Sequence, residues 1–212
     1  FVPAEAPPAT YRIGWIGNPS TTPHLAEAAP ALQALDDAEI RLVGADPDKV
    51  PFERMGFQVV GGLESEKPWG QPRLAPPALA WCSPRFFAHK GVEVVPWSLD
   101  TEVVEIQRFS VGIMPLPTSR WNQGKCALKA LQYMACGVPC VASPFGAVCG
   151  IIKHNENGLL AESREDWGAA FARLRDPEVR RQLGEAGRAT VESRFALNRA
   201  APRMVELLES LL

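Results

Sequence analysis

Gly124-Lys125-Cys126-Ala127-Leu128-Lys129-Ala130-Leu131-Gln132-Tyr133-Met134-Ala135-Cys136-Gly137-Val138-Pro139-Cys140-Val141-Ala142-Ser143 reads as a glycine loop, a helix closed by glycine, and a buried strand. On a helical projection Ala127, Leu131, Met134 and Ala135 form an apolar stripe, while Lys125, Lys129 and Gln132 recur at i, i+4 and i+7 on another face. Two cations and an amide thus share one side. A helix start already favours an anion through its unpaired N–H groups and the positive end of its dipole, and the two lysines add to this. A diphosphate is the guest such a segment suits. The same spacing also fits two ordinary solvated lysines; like charges at i, i+4 repel slightly, which mildly favours the bound anion.

Upstream, residues 11–17 are a short apolar run ended by turn formers, and 24–35 carry Ala and Leu at helical spacing, so a strand, a loop and a helix are predicted. Further strands are predicted at 40–44, 91–95, 111–115, 139–143 and 158–161, with a helix over 100–109. Downstream helices are predicted at 167–175, 178–194 and 202–212. In the last, Met204, Leu207, Leu208 and Leu211 form one apolar stripe that predicts docking on another surface. This alternation predicts an α/β, Rossmann-like, doubly wound parallel sheet with ligands bound beyond the carboxyl ends of its strands. Residues 57–90 depart from the plan: rich in proline and glycine and without sustained periodicity, they read as an irregular insertion, loosely packed and cut first by protease.

One domain over residues 11–212 fits a 212-residue chain that is 46% hydrophobic, with the Pro- and Ala-rich residues 1–10 as an interdomain linker left by truncation. The 22 basic and 24 acidic residues are spread without blocks, which argues against a nucleic-acid partner. Cys82, Cys126, Cys136, Cys140 and Cys149 lack paired CxxC spacing, so they read as reduced thiols of a cytoplasmic protein, neither disulfide framework nor zinc site. No apolar run reaches the roughly 18 residues of a transmembrane segment. Gly14-Trp15-Ile16-Gly17 lacks the GxGxxG pattern of a NAD-dependent oxidoreductase, and Asp46-Pro47-Asp48 reads as a turn rather than a metal motif. His24, His89 and His154 have no partners at catalytic spacing.

Two loops after strands complete the candidate site. Asn18, Ser20 and Thr21 offer hydroxyls and N–H groups after the first strand, with Ser20 or Thr21 as a helix N-cap the alternative. Pro96 and Trp97 follow the strand at 91–95, where Trp97 serves either as a stacking face or as a core aromatic.

The run from Met134 to Ser143, followed by Gly146 and by Asn155-Glu156-Asn157-Gly158-Leu159-Leu160, resembles the donor domain of the family-4 retaining glycosyltransferases. The resemblance implies one half of a GT-B fold, binding a nucleotide-sugar donor for retaining, hexosyl-type transfer without metal or cofactor. The acceptor-binding N-terminal domain would be the missing partner. It also implies that Trp97 lies where the base is held. Many members carry an Arg and a Lys after the first strand for the diphosphate, where Asn18-Pro19-Ser20-Thr21-Thr22 stands here; Lys125 and Lys129 are expected to supply that charge instead, with Lys125 stabilising the leaving diphosphate. Members usually carry a pair of glutamates across this helix; Gly124 and Gln132 stand there, and Gly150 stands where another glutamate is frequent. Gln132 can still hydrogen-bond a ribose hydroxyl. These departures leave open a second reading, a non-catalytic or degenerate nucleotide-binding module.

Overall fold

A computed structural model of the chain describes residues 1–6, 8–51, 85–87 and 91–211, with backbone alone at 85–87. Six strands, β1 (Arg12–Ile16), β2 (Glu39–Val43), β4 (Val92–Val95), β5 (Val111–Met114), β6 (Cys140–Ala142) and β7 (Leu159–Leu160), pair in parallel. A seventh, β3 (Arg85–Phe87), runs antiparallel to β4 at the edge, giving the order β3-β4-β2-β1-β5-β6-β7. All six parallel strands lie where the apolar runs predict them, because a strand covered on both faces needs apolar residues throughout. The antiparallel β3 departs from that plan. It is the one part of the 57–90 stretch with a described conformation; the rest of that expected insertion lies outside the described residues.

The helices lie on both faces. A 3-10 helix (Thr22–Glu27), α1 (Ala29–Gln33) and α6 (Arg164–Arg173) cover one face, where Trp15, Leu25, Leu32, Ile40, Leu42, Trp167 and Phe171 pack. On the other, α2 (Glu102–Gln107), α4 (Leu128–Ala135) and α5 (Val148–Ile151) bring Ile106, Phe109, Tyr133, Met134 and Ile151 against Ile16, Met114 and Cys140. The predicted helix over 24–35 thus splits into 3-10 and α segments, each opening with a proline in its first turn. Asp46 caps its turn by accepting from the Asp48 N–H, as the turn reading of Asp46-Pro47-Asp48 requires. A short α3 (Arg120–Gln123) precedes α4, and α6 opens on a capping box between Ser163 and Asp166.

α7 (Pro177–Arg194) packs along α4, and Gly184 is what lets it approach: a Cβ there would sit 2.1 Å from the Gly137 carbonyl oxygen. α8 (Leu197–Glu209) closes the chain with no buried residue. Its predicted stripe of Met204, Leu207, Leu208 and Leu211 docks on none of the described residues, each side chain being more than half exposed. No helix among the described residues is long and apolar enough to cross a membrane.

Candidate functional site

The order of the parallel strands reverses at β1, whose neighbours are β2 on one side and β5 on the other; in doubly wound sheets the helices diverge at such a switch point and leave a crevice beyond the carboxyl edge. The loops that reach it are those after β1, β2, β4 and β5. Gly44, after β2, has φ +72° and lies where a Cβ would be 2.4 Å from the Gly17 oxygen and 3.0 Å from Trp97 Cβ. This close approach needs glycine both for its left-handed backbone and for its missing side chain.

The segment predicted as one helix from Gly124 to Gly137 is corrected at its start. Gly124 caps α3, the chain then crosses a short loop, and Ala127 takes a left-handed conformation (φ +59°) before α4 begins at Leu128. Lys125 therefore lies in the loop and not on one helical face with Lys129 and Gln132. Burial along α4 follows Ala130, Tyr133 and Met134, with Ala127 buried just before it; the predicted stripe of Ala127, Leu131, Met134 and Ala135 is rotated, leaving Leu131 and Ala135 only partly covered.

The two lysines nevertheless converge. Lys129, in the first turn of α4, reaches across the sheet edge so that Nζ donates to Thr21 Oγ1 at 3.2 Å and lies 4.3 Å from the Trp15 ring centroid. Gly17 makes the passage possible, since a Cβ there would be 2.8 Å from that Nζ and 2.3 Å from the Trp15 ring. Burial, reinforced by the charge of Lys125, pulls the Lys129 amine down to about 7, and burial lowers Lys125 as well. His24 stands in the same field. Burial first, then Lys125 and Lys129, hold it down to about 4, and its buried Nδ1 has no hydrogen-bond partner among the described residues. The result is a sheet edge where two lysines and a neutral imidazole lie close together, neither lysine ion-paired among the described residues.

Asn18 and Ser20 serve the loop itself: Asn18 Oδ1 accepts from the Ser20 and Thr21 N–H groups, both at 3.1 Å, and from Ser20 Oγ at 2.7 Å. Thr21 flanks the 3-10 helix without a side-chain cap bond, and its hydroxyl is turned to Lys129 instead. Trp97 is 46% exposed, so it is not a core aromatic; β4 has ended, Pro96 is exposed, and the indole is held at the edge by an Nε1 bond of 3.0 Å to Glu102. Gln132 donates Nε2 to the other oxygen of that carboxylate. Gly124 is exposed and makes no side-chain link to the cluster, and Gly150 on α5 has open space around it.

Glu102, Trp15 and His24, which the structure brings beside the candidate residues, were not among those the sequence pointed to. A glutamate in a helix's first turn and a tryptophan within a strand look unremarkable, and only the tertiary packing of α2 against α4 buries Glu102 to 6%. His24 gave one usable signal, its place just after the loop that follows β1.

Residues 10–176 match the family model described as glycosyl transferases group 1. The chain belongs to this family. A curated relative, the N-acetyl-alpha-D-glucosaminyl L-malate synthase of Bacillus anthracis, is 37% identical over 71 residues, 32% of this chain and 19% of that protein. Among solved structures, a point mutant of S. aureus TarM in a complex containing UDP superposes with a TM-score of 0.67 at 14% identity, covering 98% of this chain and 37% of that one. Anabaena HepE in complex with UDP and glucose gives 0.66 at 16% identity, over 95% of this chain and 48% of that one. The C-terminal domain of a Francisella tularensis group 1 glycosyl transferase gives 0.59 at 19% identity, covering 93% of this chain and 96% of that domain. At these identities the likeness is one of fold, that of a Rossmann-like half of a GT-B glycosyltransferase. The chain spans less than half the length of the first two structures and about a fifth of the curated relative.

Proposed function

We propose that this glycosyl transferases group 1 chain is the donor-binding half of a retaining glycosyltransferase. It holds a nucleoside-diphosphate sugar at the β1–β5 switch point, while a second domain supplies the acceptor for a hexosyl-type transfer. The observation that carries this reading is Lys129 Nζ reaching from α4 to Thr21 Oγ1 at the end of β1, with Lys125 near enough for its charge to act on both Lys129 and His24. Two neighbouring amines are stabilised by an anion placed between them. Lys125 acts on the leaving diphosphate as its charge develops, and Lys129 grips it in the ground state. Trp97, beyond Pro96, takes the base.

Titration with a panel of nucleosides, nucleoside diphosphates and nucleotide sugars tests this. Because solved relatives by fold hold UDP, uridine, UDP and UDP-sugars are the first probes. Weak binding of UDP, clearly tighter than uridine, is expected of a donor surface without a domain to close over it. Equal binding of UDP and uridine would remove the assignment. Gly124, Gln132 and Gly150 favour a second reading, a nucleotide-binding module without turnover, since no carboxylate stands at any of these positions. Transfer or donor hydrolysis after a partner domain is supplied separates the two.

The lysines also set the pH dependence. Between about pH 7 and the ordinary lysine value of about 10.4 the empty folded site binds fewer protons than the unfolded chain, so stability contributed by Lys129 rises with pH across that window. A bound diphosphate favours the ammonium and raises its pKa. UDP binding at pH 8 is therefore expected to take up a proton, and affinity to fall as pH rises above about 7. Calorimetry in two buffers of different ionisation enthalpy reads this directly; Lys129→Arg, which stays charged, removes the uptake. An identical enthalpy in both buffers for the unaltered chain would contradict the placement of Lys129.

A further inference from the structure

Glu102 and Glu105 are one turn apart on α2 and both are buried, yet their partners differ in kind. Glu105 is ion-paired with Arg41 on β2 and with Arg108. Glu102, 6% exposed, is met instead by two neutral donors, the Trp97 indole N–H and the Gln132 amide, and by no cation among the described residues. A buried carboxylate held only by neutral groups costs more than an amide or apolar residue in its place. That cost points to a task at the site.

The task follows from the inventory of atoms. Both Glu102 oxygens accept, one from the Trp97 indole and the other from the Gln132 NH₂, which is thereby turned inward. The Gln132 carbonyl oxygen is then turned away from the carboxylate and held there as an acceptor. Gln132 lies three residues after Lys129 on α4, about 4.5 Å further along the axis. A nucleotide whose diphosphate meets Lys129 and whose base meets Trp97 therefore places its sugar hydroxyls between them, beside Gln132.

We propose that Glu102 is the positioning residue of the donor site: it locks the Gln132 carbonyl outward as the acceptor for the ribose 2′- and 3′-hydroxyls and sets the Trp97 indole for the base, so that the site selects ribonucleotides. This rests on the reading of the site as a nucleoside-diphosphate site. Glu102 touches no ligand itself, and its effect passes through Gln132 and Trp97.

The test exchanges the two residues. Glu102→Gln, Gln132→Glu and the double variant are compared with the unaltered chain by calorimetry, using UDP and 2′,3′-dideoxy-UDP, with melting temperatures measured in parallel. In Glu102→Gln the oxygen stays with the Trp97 N–H, the new NH₂ turns the Gln132 amide around, and UDP affinity is expected to drop up to about tenfold, the upper scale of one hydrogen bond between neutral groups. Gln132→Glu sets two carboxylates face to face, which raises the pKa of the pair, so its UDP affinity should weaken as pH rises through that titration. The double variant restores the arrangement with roles exchanged: the amide now on α2 accepts from Trp97 and donates to the carboxylate now on α4, whose other oxygen faces the ribose. Affinity within about threefold of the original is expected, given a reconstituted pair. Residue 102 keeps an oxygen for the Trp97 N–H in every variant, so the base is held as before and dideoxy-UDP, which lacks the ribose hydroxyls, should bind all four chains alike.

Additive losses in the double variant, or equal losses for UDP and dideoxy-UDP, would show Glu102 to be a packing residue and overturn the proposal. A change in melting temperature alone does not support it, since a purely structural contact would move that too. Should the unaltered chain bind UDP no better than uridine, the donor-site reading fails and this inference fails with it; good UDP binding with an additive cycle defeats this inference only.

Discussion

Replacing Lys129 by alanine is expected to lower the affinity for UDP by about ten- to a hundredfold, corresponding to the roughly 1.5–3 kcal/mol of a hydrogen bond to a charged group. Uridine affinity should scarcely change. The asymmetry follows from the position of Nζ between the Trp15 face and Thr21 Oγ1, at the end of β1, where an approaching phosphate meets it without much competing water. Lys125→Ala should act in the same direction, because the loop that displaces it from the helix still leaves its charge within range of Lys129 and His24. Gln132→Ala is expected to weaken UDP and uridine alike, since both carry the ribose. Calorimetry on the three variants with both ligands separates the roles, and equal losses for uridine and UDP in the lysine variants would return both lysines to the solvated surface.

Folding stability should respond little to Lys129→Ala. Burial draws the amine down to about 7, so at neutral pH its removal relieves a buried, partly charged group while forfeiting the packing of its stem and the contact with Trp15. A residue that costs the fold something and returns it on ligand binding is characteristic of sites rather than cores.

What can be read in the sequence divides along physical lines. Parallel strands covered on both faces announce themselves as apolar runs, so β1, β2, β4, β5, β6 and β7 are legible, and with them the loops that make the site. The start of α4 is not, because the break is made by a left-handed alanine, and nothing in Ala127 itself signals that conformation. Helical spacing thus sets Lys125 near Lys129, but by the wrong geometry. Glu102 is hidden for a different reason. Burial of a charged residue is decided by which helix lies over it, a long-range fact, and Gln132, its partner, is 30 residues away. Trp97 can be placed after its strand, yet the choice between stacking face and core aromatic turns on its anchoring to that same carboxylate, which the sequence does not display.

The second large effect concerns two glycines that the register sets side by side, Gly14 on β1 and Gly112 on β5. A Cβ on Gly14 would lie 2.0 Å from the Phe109 ring, and one on Gly112 would lie 2.4 Å from the Tyr133 ring. The two rings pack edge to face, centroids 6.1 Å apart, in the slot that the missing side chains leave. Beyond this pair β1 and β5 splay apart, and the Tyr133 hydroxyl spans the gap: it accepts from the Ile16 N–H at 3.0 Å and donates to the Ile113 carbonyl at 3.2 Å. Gly112→Ala therefore overpacks the core and pulls the hydroxyl from two buried backbone groups at once. A loss on the order of 3 kcal/mol or more is expected, read as a lowered urea midpoint with an unchanged m-value. Tyr133→Phe keeps the ring and should cost about 1–3 kcal/mol for the unpaired backbone groups alone. Because Tyr133 shares α4 with Lys129 and Gln132, Gly112→Ala should also weaken UDP binding, whereas Tyr133→Phe should largely preserve it. A Gly112→Ala chain within about 1 kcal/mol of the original would mean that α4 can shift off the sheet cheaply, and that the site's geometry does not depend on this glycine pair.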